Sequence, residues 1–368
     1  MASIQKRPDG KWRARYRDDA GKEHSKHFAR KMDGQRWLNE VTTAVVTGTY
    51  VDPRMGALTL ERFFAEWSER QIWERGTRRA MTLAVTSCTF ADVPFSRLRR
   101  SHAETWVKAM QTAGLAPLTI NSRVVAVRTA IRAAIRDRLL SADPTEGVPL
   151  PRKRRSEHAM TIPTPEQVHD LHEAAEPFFR PFIGLCAFAG LRPGEANGTQ
   201  LDDIVFLRRT LEVRRQVQRE PGQEIEIRAP KYGSERDVFL ADDLVTSLSQ
   251  HVEEIGVYGD AGWLFMGRDG GPARPRAIAG QWEKTCKAAG IKVRAHDLRH
   301  FYASGLIAAG CDVVTVQRAL GHNSPSVTLN TYSHLWPTAE DKTRAAAAGL
   351  MGQVFADSAD RGRTTGTT

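Results

Sequence analysis

At 368 residues the chain is longer than one hydrophobic core usually serves, so two or three compact units are expected, and 41% hydrophobic with 26% charged residues excludes a largely disordered protein. A net charge of +10 makes a polyanion such as nucleic acid the leading partner, although the placement of the charges has to carry that reading. Four scattered cysteines with no C-x-x-C pair argue against a disulfide framework and a thiolate zinc site, and no apolar run is long enough to span a bilayer, so a cytoplasmic protein is expected.

In chain order, turn signals at Pro8-Asp9-Gly10 and Asp18-Asp19-Ala20-Gly21 bracket the alternating run Trp12-Arg13-Ala14-Arg15-Tyr16-Arg17, which predicts a strand. Alternation puts Trp12, Ala14 and Tyr16 on one face and Arg13, Arg15 and Arg17 on the other. A second strand over 23–28 and a helix over 30–46 complete a small sheet-plus-helix module. A solvated basic face is the plain reading of those arginines, and three on one face favour contact with DNA phosphates. His24 and His27 have no Cys or carboxylate partners and read as surface residues.

Residues 48–57 read as a linker, followed by a helical unit over 58–140 with a capping-box match at Ser101 and Glu104. Its last helix, from about 119, carries Ile120, Val124, Val127, Ile131 and Ile135 on one stripe and Arg128, Arg132 and Arg136 beside it, giving a buried edge and a basic edge. Pro149, Pro151 and the run Arg152, Lys153, Arg154 and Arg155 predict a basic interdomain linker touching DNA, with a plain solvated linker as the alternative. A third unit opens at Thr164-Pro165-Glu166-Gln167, a capping signal with proline in the first turn. Helical pattern to Gly190, strand-like runs over 210–218 and 224–227, and helices from 277 to 352 follow. The end, 357–368, is polar and predicts a disordered tail.

Five segments of the third unit carry chemistry: Gly190-Leu191-Arg192-Pro193-Gly194-Glu195, Lys231 in the stretch 230–236, His296-Asp297-Leu298-Arg299-His300, Leu320-Gly321-His322 and Thr331-Tyr332. Each alone is weak; an isolated Arg, Lys or Tyr in such a context is usually a surface or packing residue. In this order they resemble the tyrosine recombinases of the phage integrase family, across the whole third unit and more loosely at the N-terminus. The chemistry of phosphodiester cleavage asks for such a set: fixed guanidinium forks for the charge on nonbridging oxygens, imidazole donors, an ammonium for the leaving oxygen and a hydroxyl nucleophile.

The resemblance implies a mainly α, α+β architecture. It comprises an N-terminal three-stranded sheet plus helix that binds arm-type DNA (1–55), a helical, SAM-like core-binding domain (56–148), a basic linker (149–160), a catalytic domain of the tyrosine-recombinase fold (161–356) and the tail (357–368). It also implies Arg192, Lys231, His296, Arg299, His322 and Tyr332 as the catalytic set. Arg192 and Arg299 would bind the phosphate, His296 would assist proton removal, Lys231 would protonate the 5′-oxygen, and Glu195 would orient Arg192. Tyr232 and Tyr302 are the competing nucleophiles, Tyr302 being better explained as core. No metal or other cofactor is implied. Implied partners are core-type and arm-type attachment sites on double-stranded DNA, a homotetramer on that DNA, a host DNA-bending factor and an excisionase. A type IB topoisomerase-like enzyme and a catalytically idle DNA-binding regulator are the alternatives; a metal-dependent transposase would need three convergent carboxylates that the sequence does not display. Ala196-Asn197-Gly198-Thr199 departs from the apolar helix usual in the family and predicts an early helix end.

Overall fold

The structure, a computed structural model, describes residues 2–17, 21–46, 55–151, 160–219, 224–267, 270–336 and 339–361, in two compact units divided at 155/156. Expectations for the turn at 18–20, most of the first linker, the basic run Arg152, Lys153, Arg154 and Arg155, the turn around 221–222 and residues 362–368 fall outside the described residues.

In the first unit, β1 (Ser3–Lys6), β2 (Trp12–Arg17) and β3 (Glu23–Phe28) form an antiparallel meander with β2 central. The alternation acts as predicted: Ala14 and Tyr16 are buried under α1 (Lys31–Val46), against Leu38, Trp37, Val41 and Phe28. A separate core belongs to α2 (Leu60–Glu69), α3 (Arg75–Thr86), α4 (Arg100–Thr112) and α5 (Pro117–Arg136), where Phe63, Trp67, Phe90, Phe95 and Trp106 pack on the Ile120, Val124, Val127 and Ile131 stripe.

The expected cap at Ser101 is corrected. Helix α4 is capped two residues earlier, at Arg99, whose backbone N–H donates to His102 Nδ1 at 3.1 Å, leaving Ser101 inside the first turn. Glu104 pairs instead with Arg100 one turn away, 2.8 Å from its Nε.

The second unit begins as its capping signal requires: Thr164 Oγ1 accepts from Gln167 N at 3.3 Å, and Gln167 Oε1 from Thr164 N at 3.0 Å, at the start of α6 (Pro165–Ala174). Helix α7 (Arg180–Phe188) is the centre of the core, with Phe182, Ile183, Leu185 and Cys186 wholly buried, and it packs against α11 (Ala295–Ala308). Around it lie α8 (Pro193–Asn197), α9 (Asp242–Glu254), α10 (Pro275–Ala289), α12 (Val313–Leu320) and α13 (Pro325–Tyr332), with α14 (Ala339–Arg361) last.

Two antiparallel sheets are inserted. One has the order β4 (Ile204–Val205), β5 (Thr210–Val213), β8 (Arg236–Phe239); the other pairs β6 (Gln216–Gln218) with β7 (Glu226–Arg228). The run 210–218, read as one strand, is therefore two strands in different sheets. The break falls at Arg214 and Arg215, where Arg215 turns inward to Asp203 Oδ2 at 2.5 Å. Residues 357–361, expected in the tail, are instead the end of α14, which continues through Arg361 on helix-favouring alanines. Among the described residues no helix is long and apolar enough to cross a membrane.

Candidate active site

Two glycines shape the ground of the site. Gly190, at φ +65°, turns the chain out of α7, and a Cβ there would stand 2.4 Å from the Tyr302 ring, so only glycine fits both the left-handed backbone and the close approach. Tyr302 is thereby explained as packing. Gly321, at φ +62°, ends α12 in the same way with Arg236 packed on it.

Arg192 sits at the N-cap of α8 with its side chain about one-quarter exposed. Its Nη1 donates to Glu195 Oε1 at 2.5 Å and Ser234 Oγ at 3.2 Å, and Nη2 to Gly321 O at 3.2 Å. Arg299 is buried on α11, donating to Gly190 O at 2.6 Å and Leu320 O at 2.5 Å. Burial, with Arg192 and Arg236 nearby, pulls its pKa down to about 9, which leaves the guanidinium charged at neutral pH. Glu195 is fully enclosed and bridges two arginines, its Oε2 accepting from Arg236 Nη2 at 3.0 Å and from Arg192 N at 3.0 Å. Burial would raise its carboxyl, but Arg236 and Arg192 outweigh that and hold it below the usual carboxylate range.

Glu195 thus pairs with two guanidinium groups, and the buried Arg299 adds a third positive charge to the same neighbourhood. The local surplus of positive charge is what a phosphate would satisfy. Sequence reasoning had not singled out Arg236, although it closes the motif stretch that begins at Lys231; being charged and in a strand, it carried no signal of burial.

Tyr332 ends α13 and is 1% exposed. Its Oη lies 2.7 Å from His300 Nδ1, and its ring stacks on His322 with centroids 6.4 Å apart. His322 Nδ1 is 2.8 Å from Thr328 Oγ1, which fixes the imidazole against α13. Burial pushes the Tyr332 hydroxyl up to about 12, opposed by Arg299 and Arg192. His296 and His322 are driven down to about 4 and about 3, first by burial, then by charged neighbours that include Arg299 and Arg192, so both are neutral near pH 7. These mutual effects mark Arg192, Arg299, His296, His322 and Tyr332 as one electrostatic neighbourhood. His296 meets His300 edge to face at 4.9 Å, and it is His300, not His296, that contacts the tyrosine hydroxyl. An i, i+4 spacing on α11 was the available signal for His300.

Lys231 stands apart, exposed on a single turn of 3-10 helix at Lys231–Gly233 between β7 and β8. That turn is tied to the site through Ser234, which accepts from Arg192. The early helix end at Asn197 has a structural use: Asn197 Nδ2 donates to Ala273 O at 2.8 Å, and Arg215 reaches the Gly198 carbonyl at 3.4 Å. Among the described residues no group of three or more His, Cys, Asp or Glu is placed to hold a metal ion.

The candidate DNA contacts divide. Arg13 and Arg15 share a sheet face with Glu23 at 3.8 and 3.7 Å, and Arg17 is exposed. Arg128 is turned inward, donating to Thr145 O at 2.7 Å and Oγ1 at 2.9 Å, and it braces the loop after α5; Arg132 lies 3.5 Å from Asp143, while Arg136 is exposed.

Residues 163–338 match the phage integrase family model and residues 2–47 match that of the phage integrase N-terminal domain. The ICEBs1 integrase of Bacillus subtilis (strain 168) is 25% identical over 245 residues, covering 62% of this chain and 65% of the relative. A XerC-like tyrosine recombinase of Caldanaerobacter subterraneus subsp. tengcongensis is 29% identical over 202 residues, covering 49% of this chain and 51% of the relative. The chain thus spans between about half and just under two thirds of the length of these curated relatives. Among solved structures, the Tn1549 transposon integrase in complex with transposon right end DNA is similar in fold, with a TM-score of 0.67 at 21% identity, covering 80% of this chain and 100% of that one. A lambda integrase tetramer bound to a Holliday junction gives 0.57 at 17%, covering 91% and 94%.

Proposed function

We propose a function on one premise: the chain belongs to the phage integrase family of tyrosine recombinases. The protein is a site-specific DNA recombinase that integrates and excises a mobile genome by cutting and rejoining strands through a phosphotyrosine. The observation that carries this reading is a nucleophile-type hydroxyl, Tyr332, held within the field of Arg299 and Arg192, while Glu195 pairs with Arg192 and Arg236.

Arg192 and Arg299 bind the nonbridging oxygens of the scissile phosphate, with His296 and His322 as further donors. Tyr332 Oη attacks phosphorus and forms a 3′-phosphotyrosine, and Lys231, reaching in from its exposed turn, protonates the departing 5′-oxygen. The bond energy stays in the phosphotyrosine, so a 5′-hydroxyl can rejoin the strand without ATP. Glu195 holds Arg192 and Arg236 in place.

Residues 1–55 serve as an arm-type module through Arg13, Arg15 and Arg17. Residues 56–148, with Arg132 and Arg136, and the basic stretch at Arg152, Lys153, Arg154 and Arg155 grip the core site together with the catalytic domain of 161–356. Four protomers assemble on two duplexes and pass through a Holliday junction, as the lambda integrase tetramer bound to one supports; a host DNA-bending factor and an excisionase complete the set, acting on DNA in the cytoplasm. Incubation with a random-sequence pool of nicked duplexes in the presence of EDTA tests the reading. A covalent adduct at selected sequences is expected. Relaxation of any plasmid without site preference would favour a topoisomerase, and DNA binding with no adduct would favour an idle regulator.

A further inference from the structure

His300 has no part in the scheme above, yet it is the residue that touches the reacting hydroxyl. Its Nδ1 lies 2.7 Å from Tyr332 Oη, within hydrogen-bond reach, and both groups are carried by regular helix, α11 and the end of α13. His296, one turn earlier on α11, meets the His300 ring edge to face at 4.9 Å, and the contact with the Tyr332 hydroxyl is made by His300. We propose that His300 is the proton acceptor for Tyr332, with His296 left to the phosphate. The inference rests on the recombinase reading.

The step balances as follows. The Tyr332 O–H proton passes to His300 Nδ1 as Oη bonds to phosphorus, the bond from phosphorus to the 5′-oxygen breaks, and that oxygen takes a proton from Lys231. Rejoining reverses each transfer, and His300 returns its proton to Tyr332. An imidazole with its own proton on Nε2 presents Nδ1 as the acceptor this requires. The charged and titratable groups around His300 are His296, Asp297 and Arg299 on its own helix, Arg294 at that helix's N-cap, and Tyr332 from α13 with His322 behind it. Burial together with Arg299 and Arg294 outweighs Asp297 and holds His300 below its ordinary value, so it is unprotonated and ready to accept at neutral pH. A hydroxyl raised to about 12 needs such an acceptor, because it does not ionise by itself near pH 7.

The test uses the full chain and duplexes identified by covalent capture from the random pool, resynthesised with a bridging 5′-phosphorothiolate at the cleaved position. Sulfur leaves without protonation, so the assay reads activation of the nucleophile alone. His300→Asn keeps a polar atom near the Nδ1 position but no basic nitrogen. It should bind the duplex normally in gel shift and form the adduct on the order of 10²-fold more slowly at pH 7, with the deficit shrinking about tenfold per pH unit above that. His300→Ala should regain rate with free imidazole. His300→Asn within about threefold of the parent rate, or a deficit equal at pH 7 and pH 9, overturns the proposal. A parent protein that captures no duplex from the random pool would instead remove the recombinase reading itself.

Discussion

Replacing Glu195 with Gln tests the charge balance of the site more sharply than replacing any arginine. The substitution keeps the side chain's volume and removes the carboxylate that faces Arg192 at 2.5 Å and Arg236 at 3.0 Å. Arg299 lies in the same neighbourhood, so three guanidinium groups would be left in a mostly dry site without a counter-charge, and the new amide N–H would point at a cation. Breaking a buried ion pair by removing one partner costs about 3 to 5 kcal/mol. Arg192 keeps some solvent exposure and Gln keeps one acceptor oxygen, which favours the lower end, about 3 kcal/mol. For a unit of this size that corresponds to a fall in Tm of about 6 to 12 °C. The sign of the pH effect agrees: Glu195 has a folded pKa below its unfolded one, so its contribution is present above the unfolded carboxylate range and is lost as pH falls through the folded value. Circular dichroism melts of parent and Glu195→Gln at pH 7, with and without about 100 mM sulfate to populate an anion site, provide the assay. The variant should melt lower and recover more than the parent does on adding the anion. A variant melting within about 1 °C of the parent would refute the charge argument.

Three other outcomes follow from the same geometry. His296 and His322 have folded pKa values depressed to about 4 and about 3, so the stability they hold at neutral pH should decline as pH falls from about 6.5 towards 4; melts across that range check this, and bound DNA, by raising both pKa values, should flatten the decline. Arg192→Ala should slow cleavage of a captured nicked duplex by on the order of 10² or more, and Arg299→Ala should in addition lower the Tm, because the carbonyls of Gly190 and Leu320 lose their buried donor. Deleting residues 1–55 should leave cleavage of a core-site duplex intact and abolish shifts of arm-site fragments; unchanged arm binding in gel shift would show the module to be misread.

Much of this site was legible because the family's residues recur in short motifs whose side chains need specific neighbours: His296 and Arg299 share a helix, and Gly321 before His322 is fixed by a left-handed helix end. The alternation of β2 and the stripe on α5 were equally plain, since a period of two or of 3.6 decides which face is buried. What escaped depended on tertiary placement. Nothing local distinguishes Arg236, which is buried on a carboxylate, from exposed strand arginines, nor shows that Arg128 folds back onto Thr145 and away from solvent. His300 was visible in the motif, but only the packing of α13 on α11 brings Tyr332 to it. The split of 210–218 falls where Arg215 pairs with Asp203, a contact between segments that no window of strand propensity contains.

The most direct test of the account is peptide mapping of the covalent adduct formed by the full chain on a captured nicked duplex. Mass spectrometry after nuclease digestion should find the nucleotide on Tyr332, and Tyr332→Phe should bind the same duplex and yield no adduct. A nucleotide found on another residue, or an adduct that persists in Tyr332→Phe, would contradict the assignment on which the mechanism stands.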